Sequence, residues 1–272
     1  MDTSKQQAAD WWSTDIIQMS PGEINFHGRP IQELIGNVSF VGMIWLMLKG
    51  ELPKPGQEEL FGAALMAGVD HGPQAPSIAI ARMASSCGIG INNAMASAAN
   101  VLGDVHGGAG EQCVALFNQI LALQKDSELS LDQAADKVLG EFFDSGKKYV
   151  PGFGHRFHPV DPRSAPLLNL LRKAEDAGAV QAGYSAAAEA VEKTIAQRKG
   201  RHIPMNIDGA TAAIYGALGF EPPLCRGLFV LSRSVGILAH SWEQMQRSER
   251  NKGPIPKGWL WTYTGKPVSQ ES

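Results

Sequence analysis

Cysteine is scarce: Cys87, Cys113 and Cys225 are odd in number, scattered, and show no C-x-x-C spacing across 272 residues. That pattern excludes a disulfide framework and a zinc site, and it fits a reducing, cytoplasmic compartment. Long apolar runs are missing too. The greasiest, Phe40 to Leu48, is about half of the roughly 20 residues that a membrane span needs, so no membrane association is expected and the run reads as a buried core helix. At the N-terminus, MDTSKQQAADWWS contains no apolar stretch of the secretory type. The charges sum to −3 and are well mixed, with no Lys/Arg block, which argues against nucleic acid or another polyanion as partner.

Strand-type alternation is nearly absent. Only EINFHGRPI near the start and WLWTYTG near the end could form a hairpin or extended arms. Helical periodicity fills the rest, and with 44% hydrophobic residues the chain can bury a large core. Leu131, Ala134, Ala135, Val138, Leu139, Phe142 and Phe143 fall on one face of a helix. Ser130 followed by Gln133 predicts a capping box at its start, and Gly146 lies past its end. SAPLLNLLRKAEDAG and YSAAAEAVEKTIAQRKG repeat the theme up to Gly178 and Gly200. SIAIARMASSCG and GLFVLSRSVGILAHSWEQMQR read as core helices. The fold expected is nearly all α. No internal repeat or low-complexity linker appears, so any domain division belongs in glycine-rich hinges: Gly103 to Gln112, or the approach to Arg233.

Familiar catalytic signatures are missing as well. There is no H-E-x-x-H, P-loop, G-x-G-x-x-G after a strand or G-x-S-x-G, and no metal site is expected. What stands out is a set of histidines beside backbone-breaking residues: His71 in VDHGPQAPS, His106 in GDVHGGAGE, and His155 in VPGFGHRFHPVDPR. Glycine there allows close backbone approach to a ligand, and a helix beginning just beyond offers its positive end to an anion. Each histidine could equally be a turn or capping residue. Asp208, in PMNIDGATAAIYGALG, precedes a small-residue helix, where an aspartate is a preferred N-cap; a catalytic base there would need an oxygen free for substrate. Arg163 follows Asp-Pro and could clamp a carboxylate, cap a turn or pair with Asp161. Arg233, inside an apolar helix, must find an anion or reach the surface.

In their order along the chain, GEINFHGRPIQELIGNVSFVGMIWLMLKGELP, DHGPQAPS, HGGAGE, VPGFGHRFHPVDPR, NIDGATAAIYGALGF, RSVGILAH and YTG resemble the citrate synthase superfamily, including citryl-CoA lyases and the lyase portion of ATP-citrate lyase. The resemblance implies an all-α homodimer with a large domain and a small mobile domain, here residues 1–118 and 236–272 for the large one and 119–235 for the small. It implies that His155 polarises the keto group of oxaloacetate and takes the hydroxyl proton of citryl-CoA in cleavage. His106 would hold the thioester oxygen as it becomes an enol, and Asp208 would be the base for the acetyl methyl proton. His71, Arg163 and Arg233 would bind carboxylates. Val150, Gly152, Phe153, Gly154 and Arg156 would contact coenzyme A, which is a substrate, no cofactor being permanently bound.

Several features favour a citryl-CoA lyase-like enzyme over a citrate synthase or a relative using another 2-oxo acid. The chain is short, and D-H-G-P and GDVHGG follow the ATP-citrate lyase branch; Gly110 is a departure, standing where synthases usually carry asparagine. Gly253-Pro254 replaces the Arg-Pro whose arginine reaches the partner subunit's site, with Arg250, Lys252 or Lys257 as candidate substitutes. That replacement also leaves room for a non-catalytic thioester or dicarboxylate sensor.

Overall fold

The computed structural model describes residues 3–266. In chain order the elements are α1 (Thr3–Asp10), β1 (Ile17–Ser20), β2 (Glu23–Phe26), β3 (Arg29–Pro30), α2 (Ile31–Leu34), α3 (Phe40–Lys49), α4 (Gln57–Ala67), α5 (Pro76–Ser86), α6 (Ile91–Ala99), α7 (Ala109–Lys125), α8 (Leu131–Asp144), α9 (Ser164–Asp176), α10 (Tyr184–Lys199), α11 (Ile207–Ala217) and α12 (Pro222–Met245). The fold is thus nearly all α, and no helix among the described residues is long and apolar enough to cross a membrane. Ser130 and Gln133 make both hydrogen bonds of the expected capping box at the start of α8. EINFHGRPI forms the β2–β3 hairpin, turning at His27 and Gly28, both at positive φ, while β1 adds a strand by pairing Ser20 with Glu23. WLWTYTG forms neither strand nor helix. The run Phe40 to Leu48 departs from a fully buried helix: Trp45 and Leu46 are buried, but Phe40 is 76% exposed, because α3 turns only one face inward.

Two compact units divide the chain. One runs up to Gly68 and resumes over Gly108–Phe229; the other comprises Val69–Gly107 and the chain from Val230. Two of the cuts fall in the glycine-rich stretch around His106 and just before Arg233. These units, defined by contact, are cut elsewhere than the 1–118, 119–235 and 236–272 portions that the resemblance implies.

In the first unit the core gathers Phe61, Phe117, Ile120, Leu139, Leu171, Ile195, Ile214 and Leu228 around α11. Apart from Asp208, α11 is built from small and apolar residues and is buried on all sides, with α7, α9, α10 and α4 packed against it. Its glycines set the approach distances: a Cβ on Gly216 would lie 2.2 Å from the Tyr184 ring. The second unit has a smaller core of Ala75, Ile78, Ala81, Ala98 and Ile237, from α5, α6 and the C-terminal part of α12.

Candidate active site

The first unit carries His155, Arg163 and Asp208; the second carries His71, His106 and Arg233. Each group is held by local hydrogen bonding that also decides what it can do.

Asp208 sits in the first turn of α11, but it is not the cap. Asn206 is: its Oδ1 accepts the amides of Asp208 at 2.9 Å and Gly209 at 3.3 Å. The capping role is therefore met without the Asp208 carboxylate, which is half-buried at the helix's positive end. Asn206 also donates from Nδ2 to the Gly154 carbonyl at 2.6 Å and from its backbone to the Gly152 carbonyl at 3.0 Å. With the bridge between Phe153 and Met205, these bonds stitch the segment ahead of His155 to the start of α11.

Gly152 explains part of the glycine pattern. At φ +83°, a Cβ there would lie 2.7 Å from the Gly209 Cα and 2.8 Å from the Cys113 Sγ, so the two backbones touch where side chains would collide. Val150 and Phe153 are buried in the core, Phe153 edge-on to Phe117; Gly154 is partly buried, and Arg156 is exposed. Burial leaves the side chains of Val150 and Phe153 committed to packing.

His155 accepts the amides of Phe157 and His158 at Nδ1, at 2.9 and 3.0 Å. A ring nitrogen accepting two N–H groups carries no proton, so the network assigns the proton to Nε2. Burial pushes the imidazole below its ordinary pKa; Asp161 opposes that, and His158 and Arg163 add to it. The neutral ring therefore offers an Nε2–H donor, suited to polarising a carbonyl. It has no lone pair at Nε2, so this tautomer does not accept the hydroxyl proton that the resemblance assigned to His155 in cleavage.

Asp161 is the anchor of this region and is 1% exposed. Its carboxylate accepts Nε and Nη2 of Arg163 at 2.9 and 2.8 Å, the Arg163 amide at 3.0 Å and the Ile207 amide at 3.0 Å. Burial would raise its pKa, but the hydrogen bonds from Arg163 and Ile207 outweigh it and bring the group to about 2. Arg163 thus both starts α9 and pairs with Asp161, which fixes its guanidinium edge-on.

In the second unit, His106 accepts the amide of Ser77 at Nε2, at 3.2 Å, with the Ser77 hydroxyl 3.0 Å away. Ser77 is the second residue of α5, so the ring satisfies one of that helix's unpaired first-turn amides. Here the proton is assigned to Nδ1, the reverse of His155. Burial and then the Arg233 charge depress the His106 pKa, keeping the ring neutral. Arg233 is 4% exposed. His71 is exposed, in a turn where Gly72 has φ +76°. Gly110 begins α7 against the backbone of Asp208, 4.0 Å from a would-be Cβ to the Asp208 carbonyl. Gly253, Arg250 and Lys257 are exposed, and Lys252 pairs with Glu249. No group of three or more His, Cys, Asp or Glu among the described residues could hold a metal ion.

Sequence reasoning missed Asn206, Ser77 and the anchoring role of Asp161. Asn206 had a signal, an N-cap residue type two positions before Asp208. Ser77 had none, because its pairing with His106 joins distant segments.

Residues 53–255 match the family described as citrate synthase, C-terminal domain. The citrate synthase of Deinococcus radiodurans is 28% identical over 222 residues, 80% of this chain and 56% of that protein. That of Haloferax volcanii is 30% identical over 201 residues, 74% of this chain and 50% of that protein. The chain spans about half the length of these curated relatives. Among solved structures, citryl-CoA lyase from Hydrogenobacter thermophilus is 31% identical with a TM-score of 0.81, over 94% of this chain and 96% of that one. ATP citrate lyase from Methanosaeta concilii shares the fold, at 20% identity and a TM-score of 0.78 over 98% of this chain and 45% of that one.

Proposed function

Because the chain belongs to the citrate synthase family, we propose that it makes or cleaves the carbon–carbon bond between acetyl-CoA and oxaloacetate, as a citryl-CoA lyase-like enzyme. The observation that carries this reading is the likeness to a citryl-CoA lyase over nearly the whole of both chains. The opposed tautomers support it, since each histidine offers one N–H at a place where negative charge would develop.

In the synthetic direction Asp208 takes a methyl proton from the acetyl group, and the C–H electron pair becomes the double bond of an enolate. The Nδ1–H of His106 holds the enolate oxygen; comparable donors are worth about 3–4 kcal/mol elsewhere. The enolate carbon attacks the keto carbon of oxaloacetate, which the Nε2–H of His155 polarises. The carbonyl pair moves to oxygen, and the alkoxide takes a proton from water, whose hydroxide is neutralised when Asp208 releases the methyl proton. Cleavage reverses each step: Asp208 takes a proton from water, the hydroxide so formed takes the hydroxyl proton, the C–C pair flows into the thioester as the keto group forms, and Asp208 gives its proton to the enolate carbon. His71, Arg163 and Arg233 would bind the carboxylates, and coenzyme A enters as part of the substrate.

The same reading includes a homodimer, for which Leu231, Val235, Leu238 and Trp242 offer an exposed apolar face on α12. It also includes a cytoplasmic setting, consistent with three free thiols, and closure of residues 119–235 as a mobile domain.

The test is purified protein incubated with citryl-CoA. Acetyl-CoA and oxaloacetate are the expected products, and no turnover in either direction would overturn the reading. The curated relatives favour a second reading, citrate synthase. Free CoA thiol released from acetyl-CoA and oxaloacetate would select it.

A further inference from the structure

We propose that His240 is a positioning residue for the dicarboxylate site: donating from Nε2 to Asp70, it holds the turn that carries His71. The role of that turn rests on the function proposed above, whereas the hold itself is read from the second unit alone.

The turn from Val69 to Gly72 is pressed onto α12. The Gly236 amide donates to the Val69 carbonyl at 3.1 Å, and a Cβ on Gly236 would lie 2.2 Å from that oxygen and 3.0 Å from the Asp70 Oδ1. Only glycine lets the turn seat there. One helical turn further on, His240 Nε2 meets the Asp70 Oδ2 at 3.3 Å. The other ring nitrogen, Nδ1, lies 3.0 Å from Arg82 Nη1. A guanidinium only donates, so Nδ1 accepts and the ring proton is on Nε2, facing Asp70. Arg82 is fixed in turn by Glu243, which also holds Arg247.

At the far end of this chain the Asp70 carboxylate folds back on its own turn. It accepts the amide of Gly72 at 3.2 Å and lies close to that of His71. Burial would raise its pKa, but His240 and these amides outweigh it, so the group stays charged. The His71 side chain is exposed, so the turn beneath it, not core packing, sets its direction. A run of donors and acceptors from Glu243 through Arg82, His240 and Asp70 therefore ends at the amide of Gly72, beside His71, while Arg233 lies two turns earlier on α12. Catalysis needs none of these four groups to touch substrate.

The experiment compares the unaltered protein with His240→Ala, His240→Gln and Asp70→Asn. It measures kcat and KM for oxaloacetate in the condensation direction, oxaloacetate affinity by calorimetry, and melting temperature. Removing one hydrogen bond to a charged group should weaken oxaloacetate binding and raise its KM by about tenfold in His240→Ala and Asp70→Asn, with kcat within about threefold. The Gln side chain can present an N–H to the same carboxylate and should restore most of the loss. An unchanged KM and affinity in either folded variant, or a Gln variant as weak as Ala, would overturn the proposal. If the unaltered protein binds oxaloacetate but turns nothing over, only the proposed reaction fails, and the calorimetric series still decides the role of His240.

Discussion

Asn206 donates from Nδ2 to the Gly154 carbonyl at 2.6 Å, and its other amide atom caps the helix that bears Asp208. One side chain therefore sets the entry of two segments, so its removal should affect rate more than a simple cap would. Asn206→Asp keeps the capping oxygen but loses the N–H and brings a second carboxylate to Gly154 and Asp208. We expect kcat to fall by about 10- to 100-fold, while stability falls by no more than about 1 kcal/mol. Asn206→Ala loses both functions and should cost about 2 kcal/mol. Kinetics and urea denaturation of the two variants check this; equal rates in the Asn206→Asp variant and the unaltered protein would refute the coupling.

Gly152→Ala tests the backbone contact behind the His155 segment. The added methyl meets the Gly209 Cα at 2.7 Å in a left-handed conformation. Left-handed strain of about 1–2 kcal/mol and overpacking of about 1–3 kcal/mol add to roughly 3 kcal/mol. A chain of this length should lose about 10 °C in melting temperature, measurable by calorimetry.

The pH dependence follows from two neutral histidines. Both His106 and His155 titrate below the ordinary 6.5, first because of burial. In the proposed reaction both act as neutral rings, so kcat/KM should be flat above 6.5 and fall only on the acid side, at a pH lower than an exposed histidine would give. Stability follows the same sign. Below 6.5 the unfolded chain binds protons that the folded rings resist, so stability declines as pH falls and is unaffected above. A kcat/KM profile and urea titrations from pH 5 to 8 check both statements; activity that rises on acidification would contradict the tautomers.

Asp161 adds a second, more acidic window. Its pKa drops from the ordinary 3.8 to about 2, so the stability it contributes is complete above 3.8 and is lost as pH falls toward 2. That drop corresponds to about 2 kcal/mol. Asp161→Asn should cost at least that at pH 7, because it breaks the Arg163 fork and unpairs the Ile207 amide, and the variant's stability should depend less on pH between 2 and 4.

The helices were legible, and the candidate site residues could be singled out, because each leaves a local mark. The spacing of Leu131, Ala135, Val138 and Phe142, and the pair Ser130 and Gln133, report a helix without reference to the rest of the chain. The resemblance likewise rests on short motifs. What stayed hidden depends on pairing between distant segments. The tautomer of His106 is set by Ser77, 29 positions away, and that of His240 by Arg82, 158 positions away. Asp208 was read as an N-cap candidate because its residue type fits; competition from Asn206 two positions earlier is visible only once the helix start is placed. Gly152 looked like a device for ligand approach, yet its strictest constraint is Gly209.

Asp208→Asn gives the sharpest test of chemistry, because Asn206 already caps α11. With the cap supplied elsewhere, replacing the carboxylate by an isosteric amide leaves the helix start intact, and the melting temperature should change little. An amide cannot take up a methyl proton, so kcat should fall by at least the roughly 100-fold expected for loss of a general base. Oxaloacetate affinity should change far less, since in the proposed reaction the base addresses the acetyl carbon and not the carboxylates. A folded Asp208→Asn protein of near-normal rate would move proton abstraction to another group and leave Asp208 as a first-turn anion serving the helix dipole.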